Sequence, residues 1–193
     1  MFIEDENNPL IYYPEFFDIN RSEKMFDYFK NNIKWAQDEY NFNGNIVKSP
    51  RLVSMYSSTG DKDYTYSGQT KKSYKYTKSI EYIANEIENF LNLEKGYFNG
   101  CLLNYYRDGN DSISYHNDNE RDMDENGVIA ILSIGEERTF YIKHNKTGQT
   151  IRTKLKNCSL SIMNPICQRQ WKHAILKEKN KSERISLTFR KFI

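Results

Sequence analysis

From Gly100 to its C-terminus the chain reads as short β-rich runs with no helical periodicity between them, and no other sequence feature narrows the fold so far. The runs are Cys101 to Tyr106, Val128 to Ile134, Thr139 to His144, Gln149 to Leu155, Leu160 to Met163, Gln170 to Ile175 and Arg184 to Phe192. Turn signals such as Asp108-Gly109, Asn126-Gly127 and Thr147-Gly148 separate them. Seven strands without intervening helices imply a sandwich or a barrel, because each strand must bury its apolar face against another sheet. Two helices are expected earlier. Ser22 caps Glu23 to Ile33, with Met25, Phe26, Phe29 and Ile33 at helical spacing, and Ser79 caps Ile80 to Leu91, with a stripe of Ile80, Ile83, Ala84, Ile87, Phe90 and Leu91. The expected fold is mainly β with flanking helices, and no linker long enough to divide the 193 residues is present.

Hydrophobic residues make up 38% of the chain and aromatic residues 15%, enough core-forming material to exclude a disordered polypeptide. No run of 18 apolar residues is present and Met1 to Leu10 lacks the pattern of a signal peptide, so a soluble, intracellular monomer with no membrane partner is expected. Cys101, Cys158 and Cys167 have no paired spacing, which argues for buried thiols rather than a disulfide framework or a cysteine metal site. The net charge of +2 conceals an asymmetry: residues 1 to 40 hold nine acids against four bases, a net of −5, which leaves +7 for the remainder. A basic body of this kind suits a polyanionic partner, although a solvated charged face is the simpler reading.

Two patterns carry chemistry. His116 and Asp118 are two residues apart, a spacing that puts both side chains on one face of an extended backbone, and His173 lies on a later strand. Two histidines and a carboxylate on one face of a metal leave the opposite positions open, which is the arrangement of non-haem iron sites that activate dioxygen. In the last strand, alternation puts Arg184, Ser186, Thr188 and Arg190 on one face and Ile185, Leu187 and Phe189 on the other. Arginines inside a small barrel need an anion in answer, and a dicarboxylate supplies two; an edge strand with its arginines in water is the alternative.

With these residues go others in a fixed order: Pro50-Arg51, Tyr64 to Gly68, Asn104 to Gly109, His116 to Glu120, and Arg184 to Lys191. Together the blocks resemble the AlkB family of iron and 2-oxoglutarate-dependent dioxygenases, closest to the members that repair alkylated double-stranded DNA. The resemblance covers roughly residues 50 to 193 and implies a double-stranded β-helix, a jelly-roll of the cupin type, over residues 100–193. Residues 1–99 would then supply helices and a nucleotide-recognition lid to one domain spanning 1–193. It implies His116, Asp118 and His173 as ligands of Fe(II), with Asn104, Tyr106, Arg184, Thr188 and Arg190 holding 2-oxoglutarate and dioxygen as the co-oxidant. Arg51, Tyr64, Tyr66, Ser67 and Glu120 would face the substrate base, with Tyr66 stacking on it and Glu120 accepting from its exocyclic amine. Phe42 would occupy the place of an aromatic finger that fills the gap left in a duplex. His144 is read as a non-ligand. The activity implied is demethylation of 1-methyladenine and 3-methylcytosine in DNA; the same chemistry on RNA or single strands, and a cupin-like binding protein without oxygenase activity, are the alternatives. The bases Lys71, Lys72, Lys75 and Lys78 among the lid tyrosines, and the hairpin Lys143 to Lys156, fit a nucleic-acid backbone or equally a solvated surface.

Overall fold

The last strand runs through the middle of the molecule rather than along an edge, which removes the alternative that its arginines lie in water. The structure, a computed structural model, describes residues 8–42, 44–61, 64–66 and 69–193. Along the chain these form β1 (Leu10–Tyr13), α1 (Ile19–Asn32), β2 (Glu39–Phe42), β3 (Asn45–Lys48), β4 (Leu52–Ser57), β5 (Tyr64–Tyr66), β6 (Gln69–Lys71), β7 (Tyr74–Lys75) and α2 (Lys78–Leu91). The second half forms β8 (Gly100–Tyr106), β9 (Ile113–His116), β10 (Ile129–Gly135), β11 (Arg138–His144), β12 (Thr150–Leu155), β13 (Ser159–Met163), α3 (Pro165–Gln170), β14 (Trp171–Ile175) and β15 (Arg184–Arg190).

Seven strands make the major sheet in the order β1-β13-β10-β15-β8-β4-β7, and four make the minor sheet, β12-β11-β14-β9. Pairing within each is antiparallel except between β4 and β7. The major sheet is covered on both faces, so β8 and β15 are buried along their whole length. On its outer face Leu103, Leu132, Leu160, Ile185 and Phe189 pack under Phe29 of α1 and Ile80, Ile83 and Ile87 of α2. On its inner face Leu102, Ile129, Ile131 and Met163 meet Phe140, Ile142, Trp171 and Ile175 of the minor sheet. This two-sided burial is why the strands read as near-continuous apolar runs in sequence.

The helices begin earlier than their serines suggest. Asp18 caps α1 by accepting from Asn20 N, while Ser22 sits one turn inside and donates to the Ile19 carbonyl at 2.6 Å. Thr77 caps α2 by accepting from Ile80 N at 3.2 Å, so Ser79 is likewise inside the helix. In both cases a capping residue two to four positions upstream reaches the first unsatisfied amides. The segment before His173 is not strand from Gln170, because Pro165 to Gln170 form α3; Asn164 caps it by accepting from Cys167 N at 3.0 Å, and Pro165 stands at a position where its missing amide hydrogen costs nothing. Eight strands, not seven, follow Gly100 among the described residues, the addition being β9.

Candidate active site

The alternation along β15 sends Arg184, Ser186, Thr188 and Arg190 into the space between the two sheets. There they face Asn104 and Tyr106 of β8, the next strand in the major sheet, and His116 and His173 from β9 and β14 of the minor sheet. His116 and His173 are cross-strand partners, which brings their ring centres to 4.2 Å. Asp118 departs from expectation, since β9 ends at His116 and Asp118 lies on the loop beyond it. It reaches the same point because the loop is tied to α3. Asn117 Nδ2 donates to the Gln168 carbonyl at 3.0 Å and to the Trp171 carbonyl, and Asp118 N donates to Gln168 Oε1 at 2.9 Å.

The ligand atoms of His116, Asp118 and His173 all lie within 4.8 Å of one another. His116 Nδ1–H donates to the Ser114 carbonyl at 2.8 Å, which puts the ring's lone pair on Nε2, 3.7 Å from Asp118 Oδ1. His173 Nε2 stands 3.8 Å from Asp118 Oδ2. Burial, then the neighbouring His116, push His173 down to about 3, and burial also lowers His116, so both rings are neutral and able to coordinate. Burial alone would raise Asp118, but Arg190, whose Nη2 lies 2.8 Å from Oδ1, and the two histidines outweigh it and hold the carboxyl at about 2. Two neutral imidazoles and an ionised carboxylate are the donor set a ferrous ion takes while keeping open positions.

Arg184 completes the site. Its side chain is 1% exposed, Nη2 donates to Ser133 Oγ at 2.8 Å, and Nε and Nη1 have no hydrogen-bond partner among the described residues. Its guanidinium lies 5.2 Å from the centre of the Tyr106 ring, and burial lowers its pKa to about 10. A buried guanidinium with unsatisfied donors facing a metal-type triad fits a carboxylate ligand. Arg190 and Arg184 both line the cavity, and they differ in that Arg190 is also engaged with Asp118 through Nη2.

Of the residues expected to touch substrate, Arg51 lines this same cavity, but its Nε donates to Asn104 Oδ1 at 2.8 Å, so it braces the cosubstrate wall. Glu120 lines an adjoining groove on the far side of Asp118, together with Asp124 and Glu125. Tyr64 and Tyr66 lie on β5, paired with Lys71 and Gln69 of β6, and Ser67 lies outside the described residues. Phe42 ends β2 and pairs with Asn45, beside the turn made by Gly44 at φ +82°, so it sits at a hairpin tip. His144 is no ligand: its ring packs edge-on against Trp171 and its Nδ1 accepts from Lys146 N and Thr147 N. Sequence reasoning missed Gln168, although Asn164-Pro165 marked the helix that carries it. All three cysteines are buried and free.

This fold with this triad defines a class: the family described as the 2OG-Fe(II) oxygenase superfamily matches residues 9–190, and the chain belongs to it. Within the superfamily the likeness is to AlkB proteins. The chain is 29% identical to DNA oxidative demethylase ALKBH2 of Arabidopsis thaliana, over 94% of this chain and 65% of that protein. It is 28% identical to alpha-ketoglutarate-dependent dioxygenase alkB homolog 3 of Homo sapiens, over 92% and 64%. An uncharacterized protein of Acanthamoeba polyphaga mimivirus, R406, is 31% identical over 72% of each chain. The chain spans slightly under two thirds of the length of the first two relatives. Among solved structures, OsALKBH1 superposes with a TM-score of 0.67 at 12% identity, over 95% of this chain and 98% of that one. A prolyl hydroxylase from Trichoplax adhaerens gives 0.60 at 12% identity, over 95% and 84%. These two likenesses bear out the double-stranded β-helix expected from the sequence.

Proposed function

We propose that this protein is an Fe(II)- and 2-oxoglutarate-dependent dioxygenase that removes methyl groups from alkylated bases in DNA. The observation that carries the reading is the convergence of His116, Asp118 and His173 beside the unsatisfied, buried guanidinium of Arg184 in one cavity. Iron held by the triad would supply dioxygen activation coupled to decarboxylation of 2-oxoglutarate, so that the substrate methyl is hydroxylated while succinate and carbon dioxide are released. The hydroxymethyl group on the base nitrogen then leaves as formaldehyde, and the base is restored without strand cleavage.

The chain's own residues divide the remaining work. Arg184 takes the distal carboxylate of 2-oxoglutarate, and Tyr106, whose ring its guanidinium faces, keeps that fork in place. Asn104, held by Arg51, and Thr188 line the same wall. Arg190 holds Asp118 ionised, which keeps the carboxylate available to the metal. Glu120 lines the adjoining groove with Asp124, Glu125, Arg121 and Arg169, and it is the acid that would meet 1-methyladenine and 3-methylcytosine, which are cations at neutral pH. A base inside a duplex must be flipped out to reach such a groove, and a damaged pair lowers that cost. Phe42 ends β2 at a hairpin tip, and it would be the residue of this hairpin to enter a duplex. Residues 1–193 act as one domain, a reading supported by β1, β4 and β7, which the first 99 residues contribute to the core sheet. We read it as an intracellular monomer; among the described residues no helix is long and apolar enough to cross a membrane.

The test supplies iron, 2-oxoglutarate and air with an oligonucleotide carrying one 1-methyladenine, as duplex DNA, single-stranded DNA and RNA, and quantifies succinate and restored base. Restoration in duplex DNA at least as fast as in the single strand is expected. Restoration in RNA alone moves the substrate to RNA, and absence of succinate with every substrate rejects the dioxygenase reading.

A further inference from the structure

Helix α1 sorts its charges by face. Glu23 and Asp27 look to one side, where with Glu136 and Glu183 they line an acidic groove. Arg21 and Lys24 look to the other, into a cleft between α1 and α2 that a third cation, Lys78, completes. Among the described residues, no acidic side chain lines that cleft. Its floor is apolar, formed by Met25, Phe29 and Ile83, and a tyrosine from each helix lines it, Tyr28 and the half-exposed Tyr82. No described residue holds Lys24 or Lys78 in an ion pair.

The cleft continues a surface that begins at the lid. Exposed Lys72, Tyr74 and Lys75 lead from β6 directly to the start of α2 at Lys78. Lys34, just past α1, places its Nζ 4.5 Å over the Tyr74 ring, and Tyr74 lies 5.5 Å from Tyr56. Tyr56 in turn accepts from Lys34 N and feels the Tyr28 hydroxyl. Lys34 and Tyr74 at the surface, packed on the buried ring of Tyr56, therefore lie between the lid and the cleft.

We propose that the α1–α2 cleft binds the single-stranded flank of the nucleic-acid substrate, with bases on Tyr28 and Tyr82 and phosphates at Arg21, Lys24 and Lys78. Alternating aromatic faces and cations are the chemistry of sequence-tolerant strand binding. An acidic peptide would satisfy the three cations, but it would gain little from tyrosine faces or from the continuity with the lid. The inference rests on the nucleic-acid reading above and extends it to a surface outside the cavity.

Fluorescence anisotropy on the metal-free protein tests it with unmodified dT20 and a trinucleotide. The double variant Arg21→Glu, Lys24→Glu adds acids to the first turns of α1, where the helix dipole favours them, so the fold should survive. It is expected to bind dT20 roughly tenfold more weakly, with a salt dependence shallower by about 1.4, since each phosphate contact on a single strand contributes about 0.7. Tyr82→Ala is expected to weaken dT20 by about fivefold or more through lost stacking. Trinucleotide binding should not change in either variant. Wild-type affinity and salt dependence for dT20 in the double variant would overturn the proposal. So would displacement of dT20 by a 20-residue polyglutamate as effective as displacement by unlabelled dT20, which assigns the cleft to acidic protein segments. Turnover of a methylated trinucleotide by the iron-loaded wild type separates the two readings: its absence counts against the dioxygenase, whereas the anisotropy result decides the cleft.

Discussion

Replacing Arg184 with methionine should stabilise the metal-free protein and abolish its response to 2-oxoglutarate. The guanidinium is 1% exposed, and burial depresses its pKa from the ordinary arginine value to about 10. At about 1.4 kcal/mol per tenfold in the ionisation constant, holding that charge inside the protein costs about 3 kcal/mol. The sign is fixed by linkage: the unfolded chain binds the proton more tightly, so the penalty is present in full at every pH below about 10 and fades only as pH rises from there toward the ordinary arginine value. Methionine removes the charge and keeps most of the volume, but it leaves Ser133 Oγ without its donor, a loss of about 1 to 2 kcal/mol. The net gain of about 1 to 2 kcal/mol corresponds to a rise of about 2 to 8 °C in Tm for a chain of this size. Binding should move the opposite way. Removing one partner of a desolvated charge pair costs about 2 to 5 kcal/mol, or about 30-fold to about 4,000-fold in affinity. Thermal melts of the metal-free variant, and calorimetric titration of 2-oxoglutarate into protein loaded with Mn(II) in place of iron, read the two effects separately. A variant that melts lower than wild type and still binds 2-oxoglutarate would refute the assignment, because Arg184 would then be a structural residue satisfied by the protein itself.

Asp118→Ala removes the carboxylate facing Arg190, a pair in which both side chains are 2% exposed; loss of about 3 to 5 kcal/mol of stability should accompany loss of Mn(II) binding, both measurable by denaturant unfolding and metal titration. Phe29→Ala, at the contact of α1 with the major sheet, should cost about 3 to 5 kcal/mol in the same unfolding assay while leaving Mn(II) affinity within about twofold, since Phe29 lies outside the cavity. Glu183 is a different case. Burial alone would raise its carboxyl, but Lys30, at 2.8 Å, and Tyr105 more than offset this and hold it below 4.5, so its contribution is present above 4.5 and lost as pH falls through the lowered value. Glu183→Gln should therefore flatten the fall in Tm between about pH 5 and 3, and an identical pH profile in both proteins would remove Glu183 from the acid response.

Much of the architecture was legible because it depends on local alternation. The Arg184 to Arg190 strand carries its two faces in its spelling, but the same alternation fits a strand with one face in water, and its place in the middle of the major sheet was not legible. The helices were legible as amphipathic stripes, but their starts were not, because Asp18 and Thr77 compete with Ser22 and Ser79 as caps and the winner is set by where the chain leaves the preceding loop. The candidate site residues His116, Asp118 and His173 are legible in motif order, which does not depend on geometry. The expectation that Asp118 shares a strand with His116 followed from spacing alone, and the loop that carries it is fixed by Gln168, fifty residues away.

The sequence by itself determined the strand-rich C-terminal half, the covering helices, the family and the candidate site residues, since each is written in local periodicity, residue type or motif order. Only the tertiary structure decided the roles that depend on which neighbour stands opposite. It paired Arg190 with Asp118 and Arg184 with Ser133 while both line the cavity, a distinction between two arginines on the same face of one strand that spacing cannot make. It turned Arg51 toward Asn104, set Glu120 in a neighbouring groove, and joined α1 to α2 along a cationic cleft assembled from segments some fifty residues apart. Charges and hydrogen bonds act through space, and space is fixed only when the sheets close.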